Sequence, residues 1–249
     1  MKKFIVFYCT LFTVLTSFSQ QKNGLTFFET NANLTFKINE NFEFGNTNDE
    51  PFFVPSEILL RFGIGYEYKK KIALSFNTGF DYHFDYFIGT IPTYFTFQYN
   101  LWTKGNDAFY ILYNTGRLWR LAERFSDGDY RGFGIGYEYK KKIAISFNTG
   151  FDYHFDYFIG TIPTYFTFQY NLWTKGNDAF YMLYNTGRLW RLAERFSDGN
   201  YRGLGIGWRF ESGSTLNTTF KIIYHQKKIK NFENGSYDNI SLGIGFTIF

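Results

Sequence analysis

Twice the sequence brackets an imidazole with two carboxylates: Asp81-Tyr82-His83-Phe84-Asp85 recurs as Asp152-Tyr153-His154-Phe155-Asp156. In an extended chain alternate residues share a face, about 7 Å apart, so each cluster puts both acids and the histidine on one side. Such a set is chemically able to hold a divalent cation or to orient a general base. His225 is the third and last histidine, and it sits at the same offset in a weaker copy. The competing reading is of ordinary solvated groups at the rim of a water-filled space, and it is adopted here. Spread around a wall roughly 20 Å across, the histidines are too far apart to share a metal ion, so neither a metal nor a cofactor is expected. Catalysis is not expected either. A serine nucleophile must lie within hydrogen-bond reach of its histidine, yet no serine falls in 81–90 and Ser75 is the nearest on the same strand.

The elements that position these residues come from a repeat. Residues 62–132 and 133–203 are two copies of one 71-residue unit, differing only at Leu74/Ile145, Ile111/Met182 and Asp129/Asn200. A partial copy, LGIGWRFESGSTLNTTFKIIYH over 204–225, aligns without gaps on FGIGYEYKKKIALSFNTGFDYH over 62–83. Within each unit the periodicity is two residues, the signature of strands. Ile58, Leu60, Phe62, Ile64, Tyr66 and Tyr68 alternate with Arg61, Gly63, Gly65 and Glu67. Phe76, Phe80 and Tyr82 likewise alternate with Asn77, Gly79, Asp81 and His83. A third strand opposes Thr93, Phe95, Phe97, Tyr99 and Leu101 to Tyr94, Thr96, Gln98 and Asn100, whereas the fourth, over 109–119, is mixed. Four strands per copy, one near Phe28–Ile38 and three over 202–211, 214–226 and 237–249 make twelve. Removing one copy would leave eight, also even, as an antiparallel barrel with both ends on one side requires. Tight turns are expected at Lys69–Lys71, Lys104–Asn106, Lys140–Lys142, Lys175–Asn177 and Glu211–Gly213. Longer loops are expected at Glu40–Pro55, Ala122–Asp129, Ala193–Asn200 and Gln226–Ser236.

Residues 1–19 read as an export signal: Lys2 and Lys3, an apolar run from Phe4 to Thr16, and the small-x-small site Ser17-Phe18-Ser19. Cys9, the only cysteine, lies within it, so the exported part, residues 20–249, is expected to be thiol-free and to form one domain. The formal charge of +4 falls by two with that signal, which gives no basis for a nucleic-acid partner. Aromatic residues make up 24% of the chain, yet mean hydropathy is −0.28, too polar for a helical membrane protein. A barrel in lipid reconciles the two, because outward apolar and inward polar residues cancel in any average. A soluble sandwich would have to bury all of those rings in one core.

On this reading the lumen receives Arg61, Glu67, Asp81, His83, Glu138, Asp152, His154, Arg209, Lys221 and His225, a set of mixed sign. Arg117, Arg120 and Arg124, with Arg188, Arg191 and Arg195, flank the external loops and suit lipopolysaccharide phosphates, since guanidinium matches phosphate bidentately. The strand FIGTIPTYFTFQYNLW over 87–102, followed by a short turn and DAFYILYNTG, is similar to strands of the small porin-family outer-membrane barrels common in Bacteroidota. The closing strand SLGIGFTIF over 241–249 resembles the terminal strand that the barrel-insertion machinery recognises, with Phe249 out of step with Leu242, Ile244, Phe246 and Ile248. The strand count and alternation predict an all-β, twelve-stranded, up-and-down transmembrane barrel, and the resemblance implies the outer membrane of a Gram-negative bacterium. It implies no particular solute. A passive small-solute channel or a structural barrel fits best; a lipid-modifying hydrolase and a surface adhesin are the alternatives.

Overall fold

Alternation of apolar and polar residues over stretches rich in Phe, Tyr, Ile and Thr is what half-buried pleated strands require. The computed structural model describes residues 24–38, 52–84, 88–104, 107–121, 128–154, 159–176, 178–191, 198–212, 215–229 and 236–249. Its strands are β1 (Gly24–Ile38), β2 (Phe53–Tyr68), β3 (Ile72–His83), β4 (Ile88–Lys104), β5 (Asp107–Arg120) and β6 (Gly128–Tyr139). They continue as β7 (Ile143–His154), β8 (Ile159–Lys175), β9 (Asp178–Arg191), β10 (Gly199–Ser212), β11 (Leu216–Ile229) and β12 (Ser236–Ile248). Each pairs antiparallel with its neighbours in sequence, and β1 pairs with β12 from Phe28↔Ile248 to Lys37↔Asn239, closing the barrel. The expected signal segment 1–19, with Cys9, lies outside the described residues.

Several strands run further than their turn residues indicated. β2 starts at Phe53 and therefore takes in Pro55, β6 starts at Gly128, β10 at Gly199, and β11 continues to Ile229. Ladder pairing overrides loop composition there, because a neighbouring strand is already in place to accept the hydrogen bonds. β4 departs from simple alternation at a bulge between Asn100 and Trp102, and β8 repeats it between Asn171 and Trp173. Pro92 has no N–H to give, and the β3–β4 ladder accordingly skips from Thr78↔Thr93 to Asp81↔Thr90. The same skip recurs around Pro163.

The β2–β3 turn carries φ 52° at Lys69 and 55° at Lys70, and the β6–β7 turn 49° at Lys140 and 53° at Lys141. Two successive positive φ values match the right-handed twist of a hairpin, at roughly 1–2 kcal/mol for each residue with a Cβ. Hydrogen bonds hold the turn in place: Lys71 N donates to Tyr68 O at 2.9 Å, and Asn100 donates from N to Lys71 O at 2.8 Å and from Nδ2 to Lys70 O at 2.7 Å. The β4 bulge sits beside these bonds.

The two faces differ in kind. Outward side chains include Leu74 at 52% exposure, Phe95 at 53%, Phe166 at 54% and Leu204 at 53%. They recur on strand after strand, far beyond the few hundred Å² of contiguous apolar surface that a water-soluble monomer tolerates. Strands of 12–17 residues exceed the 9–11 tilted residues needed to cross a bilayer. Inward positions carry Gly, Ser, Thr, Asn, Tyr and most of the charge.

Inward glycines let neighbouring strands close up. A Cβ on Gly116 would collide with the Thr93 carbonyl oxygen and the Tyr94 backbone, whereas one on Gly132 would come no nearer than 3.3 Å, to Asn114 Nδ2. Gly116→Ala is expected to cost about 1–3 kcal/mol by overpacking, and Gly132→Ala less than about 1 kcal/mol. Urea-unfolding midpoints of the refolded barrel measure both, and equal midpoints would contradict the packing described.

Candidate functional site: the inner wall of the barrel

Pairing register fixes which side chains share the wall. Arg61 stands opposite Gly79 and diagonal to Asp81. Its Nη2 donates to Asp81 Oδ2 at 2.7 Å and its Nη1 to Asp81 Oδ1, a two-pronged, charge-assisted pair. Nη1 also donates to Leu60 O at 3.1 Å. His83 stands opposite Glu57, with Nε2 3.3 Å from Oε1. The Asp81 carboxylate and the His83 imidazole thus both look across to β2. Asp85 and Asp156 lie outside the described residues. Among the described residues no group of three or more His, Cys, Asp and Glu side chains is placed to hold a metal ion.

Other anticipated positions fall on the same face by register. Glu67 pairs with Leu25 and Ala73, Glu138 with Ala108 and Ala144, and Arg209 with Ala179 and Thr219. Those three are equivalent positions of the repeat near the end that carries the lysine turns. Lys221 pairs with Gly207 and Gly243, and its stem lies against Gly243. His225 pairs with Gly203 and Asn239, and its Nδ1 is 2.8 Å from the Tyr201 hydroxyl. Tyr201 in turn meets the Tyr165 ring edge-on, centroids 5.3 Å apart. Asp152 pairs with Thr161 and His154 with Ile159.

Between these charges runs a ladder of amides and hydroxyls. Asn77 Nδ2 donates to Ser75 Oγ and Thr96 Oγ1, both at 3.0 Å, and Gln98 Nε2 donates to Asn100 Oδ1 at 3.1 Å. Asn148 and Gln169 repeat this in the second copy. Ser75 is thereby occupied by Asn77, away from the histidine.

Sequence reasoning missed three aromatic rings on this wall. Phe27, Tyr110 and Tyr181 each lie across a glycine directly opposite on the next strand, Gly65, Gly136 and Gly207. A side chain at any of those glycines would occupy the ring's place. The three glycines are equivalent positions of the repeat, so β1 plays the part of β5 and β9. The shared Asn31, Asn114 and Asn185, each four residues after its ring, was the available signal. β5 and β9 looked mixed because apolar residues occupy both their faces. Ala179 is fully buried, Tyr181 is 7% exposed and Leu183 8%, while Tyr113, Trp119, Tyr184 and Trp190 face outward and are exposed.

The arginines divide. Arg117 and Arg188 take outward positions, their guanidinium carbons 5.4 and 5.3 Å from the ring centroids of Trp119 and Trp190. In the ladders Arg120 pairs with Thr90 and Arg191 with Thr161. Arg124 and Arg195 lie outside the described residues. Arg131 and Arg202, two residues before the outward Phe133 and Leu204, also take outward positions, a placement legible from the same alternation. Asp81→Asn is expected to cost about 1–3 kcal/mol, by leaving the Arg61 guanidinium half-partnered, and Arg61→Met with Asp81→Asn to recover most of it. Urea midpoints of the single and double variants test this, and additive losses would contradict it.

No protein-family model matches the chain, and no curated protein matches it in sequence. Among solved structures it is similar to an outer membrane channel from Pseudomonas putida F1 at 9% identity and TM-score 0.59, covering 92% of this chain and 97% of that one. It is also similar to a structure from work on the in-meso crystallization of membrane proteins, at 11% identity and TM-score 0.52, covering 90% and 84%. A KdgM porin aligns over 87% and 97% at 6% identity and TM-score 0.49. For the first two, at these identities, the likeness is one of fold: a closed antiparallel barrel.

Proposed function

We propose that this chain is an integral outer-membrane β-barrel of a Gram-negative bacterium, of the porin-like kind found in Bacteroidota, acting as a passive channel for small solutes. The observation that carries this is the opposed polarity of its two faces within one closed wall. A wall apolar outside and hydrogen-bonded inside leads water and polar solutes through hydrocarbon and needs no catalytic group. In this account residues 1–19 direct export and are cleaved, and 20–249 form the barrel, enlarged by duplication of 62–132 as 133–203. The closing strand engages the insertion machinery. Arg61, Glu67, Asp81, His83, Glu138, Asp152, His154, Arg209, Lys221 and His225 line the path. Their mixed signs favour weak selectivity over a single-sign filter.

A second reading, a structural barrel that conducts nothing, draws support from the near-complete burial of the inward residues of β9. Planar-bilayer recording separates the two. A channel shows discrete steps, and Tyr110→Ala with Tyr181→Ala is expected to enlarge them at least about twofold, as removal of wall-mounted rings widens an aqueous path. Silence from folded protein, in the wild type and in that variant, would leave only the structural reading.

For the outer leaflet we propose lipopolysaccharide phosphate as partner of Arg117 and Arg188, with Arg120, Arg124, Arg191 and Arg195 as further contacts nearer the loops. Arg117→Ala with Arg188→Ala is expected to lower retained lipopolysaccharide about tenfold, as measured on detergent-extracted protein. Undiminished retention would sink this assignment.

A further inference from the structure

Three consecutive lysines form each of two hairpin turns, Lys69–Lys71 and Lys140–Lys142. Two in each turn adopt positive φ, where Asn and Gly are the residues of least strain. The turn is held through backbone atoms and Asn100 or Asn171, so the fold itself does not require lysine there. The ammonium groups are nonetheless placed in a consistent way. Lys69 Nζ lies 5.1 Å from the Tyr68 ring centroid and Lys71 Nζ 5.7 Å from that of Tyr99. In the second copy Lys140 is 5.0 Å from Tyr139 and Lys142 5.8 Å from Tyr170. All four tyrosines are on the outward face, where Tyr68 stands opposite the exposed Ile72 and Tyr139 opposite Ile143. Each cation therefore stands where the apolar belt meets water. Two acids near this end are turned to other work: Asp107 Oδ1 accepts from Lys140 N, and Asp178 Oδ1 from Glu211 N, both at 2.7 Å.

Resting on the reading of a barrel embedded in lipid, we propose that the lysine turns bind anionic phospholipid, the ammonium groups holding the phosphodiester and the tyrosine rings bordering the acyl chains. A soluble acidic partner would have no use for the apolar half of this surface. Interfacial tyrosine beneath clustered lysine suits an anionic headgroup with tails below it.

The full chain, folded in neutral detergent and titrated with phosphatidylglycerol or phosphatidylcholine, can be examined by native mass spectrometry. Wild-type protein is expected to retain phosphatidylglycerol about tenfold in preference. A variant carrying Lys69→Asn, Lys70→Gly and Lys71→Gln, with the same changes at 140–142, is expected to lose that preference. Its urea midpoint in phosphatidylcholine vesicles is expected to equal or exceed the wild-type value. Arginine at all six positions is expected to keep the preference. Preference surviving in the Asn-Gly-Gln variant, or a lower midpoint for it in neutral vesicles, would overturn the proposal. Equal retention of both lipids by wild-type protein that inserts normally would overturn this inference alone, whereas failure to insert into neutral vesicles would overturn the embedded-barrel reading beneath it.

Discussion

A peptide group surrounded by hydrocarbon has no water to bond, and each one left unpaired costs several kcal/mol. For a sheet this makes closure compulsory, since an open edge would expose a whole row of such groups. The pairing of β1 with β12 meets that demand and sets almost everything else. Once the first and last strands are joined in register, every strand has two faces whose destinations are fixed. Outward residues are then free of any need to fit one another, and this is how a chain that is one-quarter aromatic avoids an overfilled core.

Inside the wall the constraint is reversed, because polar groups crowded side by side there bond one another or the water between them. The amide and hydroxyl ladder along β3 and β4, the Arg61–Asp81 pair and the Glu57–His83 contact are local answers to that demand. They are not copied faithfully around the barrel. Where the first unit has Arg61, the equivalent positions are Gly132 and Gly203, and where it has Asp81 the third copy has Ile223. The aromatic rings seated on Gly65, Gly136 and Gly207 are kept in all three. Packing of the wall is thus repeated in all three copies, whereas its charges are repeated only in part: Glu67 and Asp81 recur as Glu138 and Asp152 but give way to Arg209 and Ile223 in the third copy. Each ring is tied to the glycine it covers by packing, which the third copy keeps where it loses the Asp81 carboxylate.

The strand count, the alternation and the lysine turns were legible because a period of two and a break in it are local signals. Less legible were features set by a neighbouring strand: the bulge after Asn100, which sits where that residue bonds the turn carbonyls, and the ladder skip at Pro92. β5 was opaque because Leu112 and Leu118 on the inner wall are as apolar as Ile111 and Tyr113 outside it, and alternation vanishes when both faces are buried in something. The two ion contacts were within reach. Residues equidistant from Lys70 oppose each other across the β2–β3 hairpin, which places Glu57 against His83 and Arg61 diagonal to Asp81. The Asp-x-His-x-Asp spacing does not show them, because each partner lies across the turn and not along the chain.

The polarity of the wall is most directly tested by a nitroxide scan of β3, one position at a time from Ile72 to His83, in a bilayer with oxygen and a water-soluble nickel chelate as relaxants. The account requires oxygen accessibility to peak at Ile72, Leu74, Phe76, Thr78, Phe80 and Tyr82, with minima between them. Oxygen accessibility without a period of two, or with its peaks at Asn77, Gly79 and Asp81, would contradict it.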